Sequence, residues 1–152
     1  MGKLRVGDAA PDFSATAGDG TPVRLADYRG RHLVLYFYPK AFTPGCTAQA
    51  KAFAAHDGEI GELGAAVVGV STDPPPTVCD FGARFELPFP LIGDEDGSLA
   101  RSYGVRRALL GMAKRVTFVV DPEGRIAGRF HHEVRTTRHV DDVLELLRER
   151  QA

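Results

Sequence analysis

Cysteine is scarce: Cys46 and Cys79 are all that 152 residues contain. That scarcity excludes a disulfide-built scaffold. A four-ligand zinc set cannot be assembled either, because His32, His56, His131, His132 and His139 stand at no metal-ligand spacing from either cysteine. The His131-His132 pair reads as a surface feature, so neither a metal nor a cofactor is expected. No apolar run approaches the roughly 18 residues of a membrane span. Residues 1–8 lack an apolar secretion core, and Val6 stands where a myristoylation signal needs Ser or Thr. A cytoplasmic location is the expectation. Positive charge is not in excess: 19 Lys and Arg face 20 Asp and Glu, a formal net charge of -1. Nothing in that balance suggests a nucleic-acid partner, and the short basic clusters at 101–107 and 135–139 read as solvated faces. Repeats, low-complexity tracts and long linkers are missing. What remains is one expected domain, residues 1–152, with 43% apolar and 26% charged residues. A chain of this length buries roughly two-thirds of its unfolded surface, enough to fold without a metal or disulfide.

What is present is α/β patterning. Residues 13–16 and 22–25 read as short strands around a Gly18-Asp19-Gly20 turn, and 27–30 as a helical turn closed by Gly30. The apolar, aromatic and β-branched run 33–38 predicts a buried strand, and 65–71 a second. Thr43 to about Ala55 predicts a helix ending near Gly58. Asp73-Pro74-Pro75-Pro76 opens another toward Phe85, since the N–H groups of a first turn have no intrahelical partner to lose. Residues 87–92 are extended, and 94–103 hold a turn and a short helix. A strand at 116–120, a turn at Asp121-Pro122-Glu123-Gly124 and a partner strand at 125–130 form a hairpin. The last helix places Val140, Val143, Leu144 and Leu147 on one face, with Asp141 and Asp142 at its start and Arg148 and Arg150 at its end, as the helix dipole prefers. Two β-α units, then a hairpin and a helix, describe an α/β sheet with helices on both faces. The order is thioredoxin-like, behind an N-terminal β extension.

The chemistry centres on Cys46. Between the strand ending at Tyr38 and the helix opening at Thr43, the cysteine falls in a first helical turn, with Thr43 an N-cap type and Pro44 suited to the first helical position. Unpaired N–H groups and the positive end of the helix dipole favour a thiolate there. Gly45 leaves the sulfur unshielded on one side, and Thr43, three residues back, shares its helix face. The competing reading is a buried core cysteine.

The segment Pro39-Lys40-Ala41-Phe42-Thr43-Pro44-Gly45-Cys46 resembles the peroxiredoxin pattern Pro-x-x-x-Thr-x-x-Cys, and with Phe37-Tyr38 before it and Thr47 after it is most similar to the bacterioferritin comigratory protein, or PrxQ, branch. Asp8 to Phe13, Gly69 to Asp73, Leu87 to Leu91, Tyr103-Gly104-Val105, Arg115 to Phe118 and Asp121 to Gly124 extend the resemblance along nearly the whole chain. It implies a thiol peroxidase acting on hydrogen peroxide and organic hydroperoxides. Cys46 would be the peroxidatic cysteine, Thr43 would hold peroxide and thiolate, Arg115 would be the active-site arginine and Pro39 would shield the site from water. Taken on its own, Arg115 beside Lys114 would read as a surface charge. Gln49 is given a supporting role.

Where many members of the branch carry a resolving cysteine, five residues after the first, this chain has Lys51. Cys79 is then the one internal candidate, in a helix where some members keep theirs. The resemblance implies a Cys46–Cys79 disulfide reduced by thioredoxin or another thiol, in a monomer or weak homodimer. Alternatives are a one-cysteine enzyme resolved by an external thiol, a non-peroxidatic thiol–disulfide oxidoreductase (which would want Cys-x-x-Cys where Cys46-Thr47-Ala48-Gln49 stands), a non-catalytic binding module, and a cysteine hydrolase.

Overall fold

The structure is a computed structural model and describes residues 3–107, 109 and 111–151; Met1 and Gly2, part of the segment that lacks a secretion core, lie outside them. Short strands β1 (Ser14–Thr16) and β2 (Pro22–Arg24) pair as an antiparallel hairpin, followed by a 3-10 turn at Leu25–Tyr28. Strand β3 (His32–Phe37) leads into α1 (Pro44–Ala55) and α2 (Asp57–Glu62). Then come β4 (Ala65–Ser71), α3 (Pro75–Arg84), β5 (Leu91–Gly93), α4 (Ser98–Ser102), β6 (Val116–Val120), β7 (Ile126–His131) and α5 (Arg138–Gln151). The five-stranded sheet runs β5-β4-β3-β6-β7, with β5, β4 and β3 parallel and β6 and β7 antiparallel. This is the thioredoxin-like α/β architecture that the element order predicts, with the β1–β2 hairpin as its N-terminal extension.

Every residue of β3 is buried, as a central strand covered on both faces requires. Alternation divides its side chains between two cores. Val34 and Tyr36, with Tyr38 just beyond, face the layer built by Phe53, Val78, Phe81, Val143 and Leu147 of α1, α3 and α5. Leu33, Leu35 and Phe37 face the N-terminal hairpin, α4, Tyr103 and Phe118.

One helical element, α2, was not expected. The first helix ends at Ala55, its expected last residue, but Gly58 lies inside a further short helix, α2, that begins at Asp57. Burial explains the extra turn: Ile60, seven residues after Phe53, is fully buried in the same core. The proline-rich start of α3 is a formed helix with Pro74 as N-cap. It is held by close backbone approaches, since a Cβ at Gly18 would stand 2.8 Å from the Cys79 nitrogen and one at Gly93 would stand 2.8 Å from Pro75.

Candidate active site

Register brings the site together. Antiparallel pairing sets Val116, the first residue of β6, opposite Phe37, the last of β3. Arg115 therefore arrives where the chain leaves β3 for α1. The turn between β3 and α1 is tight: Phe42 adopts a left-handed conformation (φ 68°), unfavourable for a residue with a Cβ by about 1–2 kcal/mol. Three contacts hold it there. The Ala41 N–H donates to Asp73 Oδ2 at 2.8 Å, the Thr43 hydroxyl donates to the Lys40 carbonyl at 2.8 Å, and the Phe42 ring packs on Phe81 at 5.1 Å between centroids. Asp73 is itself fixed by the Ser71 hydroxyl at 2.8 Å.

Thr43 stands at the N-cap of α1, as its residue type suggests, but its side chain makes no capping bond. Its hydroxyl proton is committed to Lys40, so Oγ1 turns lone pairs, not a donor, toward what approaches it. Pro44 occupies the first turn and Pro39 is half-buried at the end of β3.

Cys46 is 1% exposed, and Arg115, at 6%, is no surface charge. Arg115 Nη1 lies 3.3 Å from Cys46 Sγ and donates to Gln49 Oε1 at 2.7 Å. Its Nε donates to the Glu133 carbonyl at 3.0 Å and its backbone N–H to Glu133 Oε2 at 3.1 Å. Gly45 is packed close: a Cβ there would meet Arg115 Nη2 at 3.2 Å and the Thr136 methyl at 3.4 Å. A buried cation thus lies within hydrogen-bond distance of a sulfur in the first turn of a helix. Tyr36 and Tyr38 lie in the same core, and burial pushes both phenols up, so they stay neutral.

His139 is fully buried behind this wall. Its Nε2 lies 2.9 Å from the His132 carbonyl, which can only accept, so Nε2 carries the proton and Nδ1 accepts from the Thr117 hydroxyl at 2.8 Å. Burial lowers its pKa to about 4. His131 and His132 pair with Glu133 and Asp142.

Cys79 is partly exposed on α3. It lines a cavity of about 280 Å³ with Gly18, Asp19, Leu87, Phe89 and Leu91. Both cysteines are free thiols. Cys46, Thr43, Pro39 and Arg115 thus lie where the chain leaves β3 for α1, and Cys79 lies on α3. Sequence reasoning missed Asp73 and Glu133. For Asp73 the signal was the polar Ser71-Thr72-Asp73 run closing β4 beside the cysteine turn; for Glu133, isolated beyond a strand end, there was none.

A model of the AhpC/TSA family matches residues 6–129. Peroxiredoxin Bcp of Escherichia coli is 37% identical, over 98% of this chain and 99% of its own length. Peroxidoxin BcpB of Mycobacterium tuberculosis superposes with a TM-score of 0.90 at 37% identity, covering 96% of this chain and 97% of that one. The bacterioferritin comigratory protein of Xanthomonas campestris, whose solved structures concern its alkyl peroxide reduction activity, gives a TM-score of 0.87 at 31% identity over 97% of this chain and 100% of that one. With the family model spanning most of the chain and Bcp-type relatives aligned along nearly all of it, the protein belongs to the AhpC/TSA family and is a peroxiredoxin of the Bcp/PrxQ kind.

Proposed function

We propose that Cys46 is the peroxidatic residue and that the protein reduces hydrogen peroxide and organic hydroperoxides. The observation carrying this is the buried Arg115 guanidinium 3.3 Å from a buried Sγ at a helix start. The Cys46 thiolate attacks one peroxide oxygen. An S–O bond forms and the O–O bond breaks, its electron pair leaving on the far oxygen as hydroxide or alkoxide, which takes up a proton and departs as water or alcohol. Sγ is left as sulfenic acid. Negative charge moves from sulfur to the leaving oxygen, and donors fixed beforehand at that position lower the barrier. Arg115 and the first N–H groups of α1 fill that role. Thr43 Oγ1 accepts a hydrogen bond from the peroxide O–H and so aims it. Pro39 shields the sulfur from water.

In the second half-reaction Cys79 loses its proton and attacks the oxidised Sγ; an S–S bond forms and the hydroxyl leaves as water. A dithiol reductant of the thioredoxin class then restores both thiols and is itself oxidised. Closing the bond requires Cα atoms within about 7 Å, and local unwinding of the start of α1, where Cys46 is buried, frees its sulfur for that step. The alternative, resolution by an external thiol, draws on the close docking of α3 against Gly18 and Gly93. We place the enzyme in the cytoplasm, as one domain over residues 1–152, working as a monomer or weak homodimer. Turnover with a dithiol reductant tests both halves: Cys46→Ser abolishes peroxide consumption, whereas Cys79→Ser keeps the first turnover and loses recycling by thioredoxin. Turnover retained by Cys46→Ser would refute the assignment, and full thioredoxin-driven turnover by Cys79→Ser would select the one-cysteine route.

A further inference from the structure

We infer that Glu133 is a positioning residue for the reaction at Cys46, acting through Arg115; the inference rests on the role proposed above for Cys46. Arg115 sits just before β6, on a long flexible side chain that must hold its guanidinium against one sulfur. Gln49 Oε1 fixes one end of that fork. Glu133 fixes Arg115 at two further points: its carbonyl receives Nε at 3.0 Å, and its carboxylate receives the Arg115 backbone N–H at 3.1 Å. One residue thus holds both the main chain and the guanidinium of Arg115, which sets where the side chain starts and how its plane is turned.

Glu133 is itself anchored. The same Oε2 receives Arg107 Nη2 at 2.8 Å and His131 Nε2 at 2.6 Å. Burial pushes the Glu133 carboxyl up, but the bonds from His131 and the Arg115 N–H and the charge of Arg107 outweigh it, so the group lies below the ordinary carboxylate range and is ionised at neutral pH. An ionised carboxylate only accepts, which suits three converging donors. Were Glu133 no more than a negative charge near the site, its removal would strengthen the field of Arg115 and speed the reaction. Positioning predicts the opposite sign.

The test uses Cys79→Ser protein, so that Cys46 is the sole thiol, and two reactions of it: the second-order rate with hydrogen peroxide and the rate of alkylation by iodoacetamide. Alkylation needs the thiolate but not a donor aimed at a leaving oxygen. Glu133→Ala is expected to slow peroxide roughly tenfold while alkylation moves less than about twofold, a loss in the range that misplaced catalytic groups produce. Glu133→Gln keeps an acceptor for the Arg115 N–H and is expected to recover most of the rate. Should the alanine protein not fold, Glu133→Asp, one methylene shorter, is expected to be slower than Glu133→Gln. In an Arg115→Ala background, Glu133→Ala should change little, because the two residues act as one unit. A peroxide rate unchanged or raised by Glu133→Ala, an equal fall in alkylation, or the same loss without Arg115 would overturn the inference. A Cys79→Ser parent that consumes no peroxide would overturn the Cys46 reading, and this one with it.

Discussion

Replacing Arg115 probes the site most sharply. Arg115→Ala removes a cation 3.3 Å from Sγ and the donor that Gln49 Oε1 and the Glu133 carbonyl both use. Unit charges at that separation interact by about 5 kcal/mol at an effective dielectric of about 20. Most of this does not accelerate the reaction, because charge is present on sulfur before the step and on the leaving oxygen after it; only the part that is stronger in the transition state counts. The differential part is set by one charge-assisted hydrogen bond, about 1.5–3 kcal/mol, which at about 1.36 kcal/mol per decade is roughly 10- to 150-fold in rate. Arg115→Lys keeps the charge but not the fork, and one ammonium cannot serve Sγ, Gln49 and the Glu133 carbonyl in their present geometry. Its rate is expected between those of the wild type and Arg115→Ala. The assay is stopped-flow reduction of hydrogen peroxide under single-turnover conditions, with urea unfolding alongside, since Gln49 Oε1 left without its donor costs about 1–3 kcal/mol of stability. A folded Arg115→Ala protein reacting within about threefold of wild type would refute the reasoning, because no transition-state donor worth even 1 kcal/mol would then have been removed.

Gly18→Ala places a Cβ 2.8 Å from the Cys79 nitrogen and 3.0 Å from the Pro75 carbonyl. It is expected to lower stability by about 1–3 kcal/mol and to speed amide exchange in α3, read by hydrogen–deuterium exchange; unchanged exchange there would show that the clamp is not tight. His139 has a folded pKa of about 4 against 6.5 unfolded. A depressed histidine value favours the neutral form in the folded state, so its contribution is present above 6.5 and is lost as pH falls toward 4. Between pH 7 and pH 5 this amounts to about 2 kcal/mol. Urea unfolding of wild type at the two pH values should show that loss, and His139→Gln should show less of it by about that amount; equal slopes would contradict the assignment.

Much of the frame could be read along the chain. Strand β4, with its continuous β-branched run, and β6 were both predicted to the residue, because a strand covered on both faces needs unbroken apolar sequence. Cys46 could be placed at a strand–helix junction because proline, threonine and glycine each act locally. What could not be read depends on contacts between distant residues. Arg115 next to Lys114 looks like a surface charge until β6 pairs with β3 and carries it to a sulfur 69 positions away. Gln49 is fully buried, and its oxygen takes its partner from that same distant arginine. Helix α2 was hidden because Gly58 signals a helix end, while the burial of Ile60 outweighs it. The Thr43 hydroxyl turned to Lys40 rather than to the helix, a choice made by the left-handed Phe42 between them.

The most direct test of the central claim is the intact mass of reduced protein after one equivalent of hydrogen peroxide, with free thiols counted, for wild type and Cys79→Ser. The account predicts that wild type loses two hydrogens and both thiols without dimerising, and that Cys79→Ser gains one oxygen, which peptide mapping locates on Cys46. A wild type that is unchanged in mass, or one oxidised at Cys79 with Cys46 intact, would contradict it.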